Sequence, residues 1–321
     1  MALGEFDLIA RYFAKIGAAR SDVQVGVGDD GAVLVPPPGH DLVAVVDTLV
    51  AGVHFPQGSP ASSIGHRAVA VNLSDIAAMG ATPSWALLAL SLPSVDEDWL
   101  AQFAHGTGEL LTQHAVSLVG GDTTTGPLTI TVQLIGAVPR GQALRRTGAR
   151  PGDAIVVSGT PGDAAAGLAI EQRRMQCAAP HAAELRQRFL YPTPRCALGV
   201  ALRGIASACI DLSDGLGADL GKLCAASGRG GELELTTLPI SAALAAAVDR
   251  DRARQLALTG GDDYELCFTV PPANFARLTQ LAQRSATPLT RIGSIVERPG
   301  VTLRDGATVT QFSHRGFDHF G

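Results

Sequence analysis

Short valine- and isoleucine-rich runs alternate with stretches of helical spacing along the whole chain, and Gly, Pro or Asp marks many of the breaks. A pattern that keeps switching between a two-residue and a 3.6-residue period cannot settle as a pure bundle or a pure sandwich. It predicts mixed α/β layers. Phe6, Ile9, Tyr12, Phe13 and Ile16 fall at helical spacing near the start. The strand-like runs VQVGVG and DLVAVVDTLV follow, and then a helix is expected over SSIGHRAVAVNLSDIAAMG, with Ser62 or Ser63 as N-cap and Gly80 as its stop. WALLALSLP reads as a buried strand, and SVDEDWLAQFAHGTGELLTQHA as a helix with Ser94 and Glu97 at capping-box spacing. VSLVGGD and PLTITVQLIGAV complete the strands of a first half.

At 321 residues the chain has room for two domains. The polar, Gly/Pro-rich stretch PRGQALRRTGARPGD, residues 139–153, separates an N-terminal domain 1–138 from a C-terminal domain 154–321. In the second half AIVVSG, YELCFTV and LTRIGSIV read as strands, and DAAAGLAIEQRRMQ, GLGADLGKLCAAS and ANFARLTQLAQRS as helices.

A net charge of −5 gives no global basic field for nucleic acid or an anionic membrane. Five scattered cysteines without a C-x-x-C pair predict neither a disulfide framework nor a zinc site. No apolar stretch is long enough to span a membrane, and no signal-peptide pattern opens the chain, so a soluble cytoplasmic protein is expected.

The acids carry the functional signal. Asp29 and Asp30 in VGVGDDGAVL, Asp47, Asp75, Asp122, Asp211 with Asp214, and Asp262 with Asp263 come from six segments. Most stand at the edge of an apolar element beside Gly, Ser or Thr. Two carboxylates ~5 Å apart repel by ~3 kcal/mol at an effective dielectric near 20. Acids that converge therefore raise their pKa values or gather cations. Mg²⁺ takes one or two carboxylates and leaves positions open for water and phosphate oxygens. Carboxylates on many loops, with glycines allowing close backbone approach, predict a Mg²⁺–phosphate site, with Ca²⁺ as the lesser alternative. The P-loop string, the protein-kinase strings and the G-x-S-x-G elbow are all absent. A phosphate must then be held by metals, by backbone N–H groups of VGGDTTTG and GTPGDAAAG, and by arginines of ALRRTGARPGD. Asn72, three residues before Asp75 on the same helical face, either orients that carboxylate or is a buried polar group of the helix.

Taken in order, GDD, VDTLVAGVHF, AVNLSDIAAMGA, GGDTTTGPL, RTGARPGD, IDLSDGL and GGDDYELCFTV resemble the thiamine-monophosphate kinases. These belong to a superfamily with aminoimidazole ribonucleotide synthetase and selenophosphate synthetase, and the likeness covers essentially the whole chain. It implies two mixed α/β domains (α+β in type), an N-terminal sheet that pairs in a homodimer, and a C-terminal domain that closes over the nucleotide. It also implies transfer of the γ-phosphoryl group of ATP to thiamine monophosphate, direct and in line, with no covalent nucleophile. By the same resemblance Asp30, Asp47, Asp75, Asp122, Asp211 and Asp214 hold several Mg²⁺ ions. Val45 and Val46 stand where relatives often carry Ser and Thr, so they would contribute main-chain carbonyls. Gly121, Asp122, Arg146 and Ser213 match ATP contacts, and His54, Asp262 and Phe317 match substrate positions. The alternatives are another ATP-using enzyme of the superfamily, such as aminoimidazole ribonucleotide synthetase, or a nucleotide- and Mg²⁺-binding relative without turnover.

Overall fold

The computed structural model describes residues 4–314, 316, 317 and 320. The chain divides into two units, Met1–Ile76 with Ala81–Gly141, and Ala77–Gly80 with Gln142–Gly321. Each mixes helices and strands.

The first unit begins with one helical turn, α1 (Glu5–Leu8), which widens into a π-helical segment over Ile9–Phe13. A two-stranded ribbon follows, β1 (Val23–Val25) against β2 (Val33–Leu34), with Asp29 and Asp30 in the loop between them. VQVGVG is therefore a strand only in its first half. β3 (His40–Val50), β4 (Thr82–Leu92), β5 (Ser117–Thr125) and β6 (Thr129–Pro139) form a four-stranded sheet in the order β3-β6-β4-β5. Its pairings are antiparallel except β4 with β5. Helices α2 (Ala61–Ala78) and α3 (Glu97–Gln113) belong to this half, and the sheet residues Leu49, Val132, Leu134, Leu88 and Leu90 are buried. The opposite face leaves Leu42 52% and Val46 60% exposed.

Both expected serine caps are corrected. α2 starts at Ala61, so Ser62 and Ser63 lie inside it, and the Ser63 hydroxyl donates back to the Pro60 carbonyl at 2.7 Å. The cap of α3 is Asp96, not Ser94; its carboxylate accepts from the N–H groups of Asp98 and Trp99, both at 3.1 Å. A carboxylate is favoured at this end because it also meets the positive pole of the helix dipole.

The second unit is built on seven strands: β7 (Ala154–Ser158), β8 (Ala208–Asp211), β9 (Gly230–Glu234), β10 (Leu266–Val270), β11 (Leu289–Val296), β12 (Gly300–Asp305) and β13 (Thr308–Gln311). Their order is β13-β12-β9-β11-β7-β10-β8, and only the β9–β12 pair is parallel. The helices that matter below are α4 (Asp163–Glu171), α5 (Ala179–Leu190), α6 (Cys196–Ala201) and α7 (Leu216–Ser227). The core is apolar, with Ile155, Val157, Ile210, Leu220, Leu223 and Cys267 among its members. All five cysteines are free, and burial pushes the Cys196 and Cys224 thiols up to about 12. The stretch 139–153 is not solvated throughout, since Leu144, Ala149 and Asp153 are buried.

Candidate active site

In the first unit a cavity of about 680 Å³ opens over the exposed face of the sheet. Phe6, Ile9 and Phe13 of the opening helix form an apolar wall, and Asp29, Asp30 and Asp122 contribute carboxylates. Cross-strand register accounts for one side. Thr131 pairs with Thr48 and with Ala89, and Ala89 pairs with Asp122, so these four stand in one row across the sheet. The two threonine hydroxyls meet at 2.8 Å. Gly121, beside Asp122, has φ +155° and comes so close to β4 that a Cβ there would lie 1.8 Å from the Leu88 carbonyl oxygen. Only glycine lets the chain pass at that point. The ribbon loop supplies the other side, where the Asp30 N–H donates to the Asp29 carboxylate at 2.8 Å. A cavity apolar at one wall and carboxylate-lined at another, with bare backbone at Gly121, suits a ligand that carries a ring and phosphates bridged by cations.

Val46 also lines this cavity, whereas Asp47 and Val45 belong to the alternate set of β3 side chains. Asp47 pairs with buried Val132. Because β3 is an edge strand, alternate residues direct both backbone polar groups away from the sheet. One of the Val45 and Val46 carbonyls is so directed, not both. Asp75 lies in the last turns of α2. Asn72 donates to the Ala68 carbonyl at 3.0 Å, and its amide oxygen has no partner among the described residues. His54 Nδ1 accepts the Val50 N–H at 3.0 Å.

The remaining candidates stand in the second unit, with Asp211, Ser213, Asp214 and Asp262 beside two strand ends that run side by side. Asp211 closes β8 and is paired with Leu266. Beyond it, the Asp262 N–H donates to the Ser213 carbonyl at 2.9 Å and the Tyr264 N–H to the Leu212 carbonyl at 2.8 Å. Asp214 is bound by the Lys222 ammonium, which also meets Asp219 at 2.8 Å. Asp219 is buried and accepts the Asp214 N–H at 2.9 Å. Burial pushes its carboxyl up while Lys222 pulls it down, and the net shift is upward. Arg146 is exposed, and its carbonyl accepts the Ser227 hydroxyl at 3.0 Å. Phe317 is 60% exposed; Asp318 and His319 of the closing GFDHF lie outside the described residues.

Two acids here have roles that sequence reasoning did not give them: Asp263, grouped there with the cation-gathering acids, and Glu265, which was not singled out. Asp263 shares the acid pair with Asp262 but serves α4, accepting the Gly162 N–H at 2.7 Å and the Ala164 N–H at 3.2 Å. Glu265 is fully buried and is bound by Arg188, by Arg195 Nε at 2.7 Å and by the Ser158 hydroxyl at 2.6 Å. Burial would raise its carboxyl, but the two arginines reverse the sign and hold it below the usual range. The missed signal was a lone charge inside the apolar run YELCFTV, which must find partners when buried.

Residues 28–138 match the model of the AIR synthase related protein N-terminal domain, and residues 150–306 that of its C-terminal domain. The thiamine-monophosphate kinase of Salmonella typhimurium is 50% identical over 323 residues, covering 100% of this chain and 99% of that protein. The chain belongs to the thiamine-monophosphate kinase family. It is an enzyme of that class. The crystal structure of the family member from Stenotrophomonas maltophilia K279a has a TM-score of 0.85 at 47% identity, covering 94% of this chain and 97% of that one. A solved complex of AaThiL with AMPPCP and TMP has a TM-score of 0.80 at 33% identity, covering 92% of each chain.

The donor set fits the hard ion that such a kinase would use, being carboxylates and main-chain carbonyls rather than thiols or imidazoles. Among the described residues, no three His, Cys, Asp or Glu side chains form a group that could hold a metal ion. Mg²⁺ asks for less than that, one or two protein carboxylates completed by water and substrate oxygens.

Proposed function

We propose that this chain phosphorylates thiamine monophosphate, taking the γ-phosphoryl group of ATP and giving thiamine diphosphate and ADP by direct in-line transfer. The observation that carries the reading is the full-length likeness to AaThiL, which was solved with AMPPCP and TMP. The carboxylate-lined cavity of the first unit supports it.

Both reacting groups are anions, so charge is the first obstacle to the reaction. Bound Mg²⁺ would supply charge neutralisation. Asp30 and Asp122 would hold it in the first unit, and Asp211 and Asp214 in the second, with Asp47, Asp75 and the outward carbonyl of Val45 or Val46 as further ligands. Gly121 brings bare backbone against the nucleotide, and Phe6, Ile9 and Phe13 exclude water from one wall. Arg146 and Ser213 contribute further polar contacts to ATP, and His54, Asp262 and Phe317 receive the acceptor. The acceptor oxygen is already deprotonated near neutral pH, so no residue has to act as a strong base and none forms a phosphoenzyme. The same reading includes a cytoplasmic homodimer that pairs through the N-terminal sheet.

Purified protein with Mg²⁺ and ATP is expected to form ADP only when thiamine monophosphate is added. Phosphate release without the acceptor would replace the kinase reading with a hydrolase. With a chiral γ-thiophosphoryl donor, inversion at phosphorus is expected, and retention would mean a covalent intermediate.

A further inference from the structure

The loop ahead of β10 is unusual in its backbone. Asp262 has φ +69° and Tyr264 has φ +50°, two non-glycine residues in left-handed conformation with a single residue between them. Such backbone is costly for side chains with a Cβ and persists only where the surroundings over-determine it. Here they do. The Asp262 and Tyr264 N–H groups are tied to the Ser213 and Leu212 carbonyls at 2.9 and 2.8 Å. Asp263 between them is spent on the N–H groups of Gly162 and Ala164, and Glu265 is clamped by Arg188, Arg195 and Ser158. The backbone around Asp262 is thus held from other elements at several points. Its carboxylate is fixed too, because the Tyr264 hydroxyl donates to Asp262 Oδ1 at 3.0 Å from a ring that is only 7% exposed.

We propose that Tyr264 is a positioning residue for the acceptor: through its hydroxyl and the strained 262–264 backbone it fixes the direction of the Asp262 carboxylate that meets thiamine monophosphate. This rests on the function proposed above. A strained loop bound at so many points would be wasteful if it only closed a turn, since glycine at 262 or 264 would remove the strain. What the left-handed pair achieves is to bring residue 264 back onto residue 262, so that hydroxyl and carboxylate, two positions apart, are in hydrogen-bond contact. Tyr264 touches the substrate through Asp262 and is not itself a catalytic residue.

The test is a double-mutant cycle in the full-length enzyme, with Tyr264→Phe, Asp262→Asn and the pair, read as separate KM values for thiamine monophosphate and ATP and as kcat. Tyr264→Phe removes one buried oxygen and keeps the ring. It is expected to raise the KM for thiamine monophosphate about ten-fold, the worth of a hydrogen bond to a charged group. The KM for ATP should stay at its wild-type value. In the Asp262→Asn background the same change should cost little more, because its effect runs through that carboxylate. Equal losses in both backgrounds would overturn the proposal, as would a Tyr264→Phe enzyme with unchanged KM for the acceptor. If Asp262→Asn alone leaves that KM unchanged in an active kinase, the positioning role falls while the kinase assignment stands. Absence of acceptor-dependent ADP formation in the wild type would instead sink the function itself.

Discussion

At the scale of single residues, the two halves of the cavity wall depend on glycine for different reasons. Gly121 is excluded from change by its neighbour, the Leu88 carbonyl oxygen 1.8 Å from any Cβ, whereas Gly28 has nothing within 4 Å and is held only by φ +116°. Gly121→Ala is therefore expected to destabilise by about 2–4 kcal/mol, since backbone on a paired strand cannot yield cheaply. Gly28→Ala should cost about 1 kcal/mol. Urea titration of both variants checks this, and equal losses would mean that β4 and β5 separate more easily than their pairing implies. The GDD and GGD strings could be picked out in sequence because glycine beside aspartate recurs. Which of them needs glycine for space and which for torsion was not legible, because the neighbour that decides it lies on another strand.

At the scale of elements, the strongest test falls on the strand end that carries Glu265. Its carboxyl is held below the ordinary value by Arg195 and Arg188 against the opposing effect of burial. A folded pKa below the unfolded one, about 4.3, means stability that is present above that pH and lost as pH falls through the folded value. Glu265→Gln leaves two partly buried guanidinium groups facing a neutral amide and is expected to cost about 3 kcal/mol at pH 7. The gap from wild type should narrow below about pH 4. Thermal melts from pH 3 to 7 read it directly, and a pH-independent gap would mean that packing, not charge, holds this corner. Longer elements were legible by their period: α3, β4 and LTRIGSIV stand close to where their sequences put them. The helix α5 and the strands β9, β12 and β13 had no comparable signal, being polar or only a few residues long. Caps were misread because Ser94 and Asp96 compete within one turn, and charge against the helix dipole favours the second.

At the scale of the whole molecule, the four-stranded sheet is covered on one face and leaves Leu42 and Val46 exposed on the other. Exposed aliphatic side chains along an edge strand are a liability for a monomer, and a second copy would remove it. Leu42→Asp, outside the cavity lining, is expected to shift the proposed dimer to monomer in light scattering, with little effect on monomer stability because the site is exposed. A mass unchanged by the substitution would move the proposed homodimer interface away from this strand. Among the described residues no helix is long and apolar enough to cross a membrane. The sequence by itself determined the mixed α/β character, the family and the supply of carboxylates, because period and short motifs are local properties of the chain. Tertiary structure alone decided how those carboxylates are used. Strand alternation separates Asp47 from its neighbour Val46, cross-strand register sets Asp122 in a row with Thr131, and a helix end takes Asp263 from Asp262. Such choices depend on which element lies alongside, and a linear string does not record that.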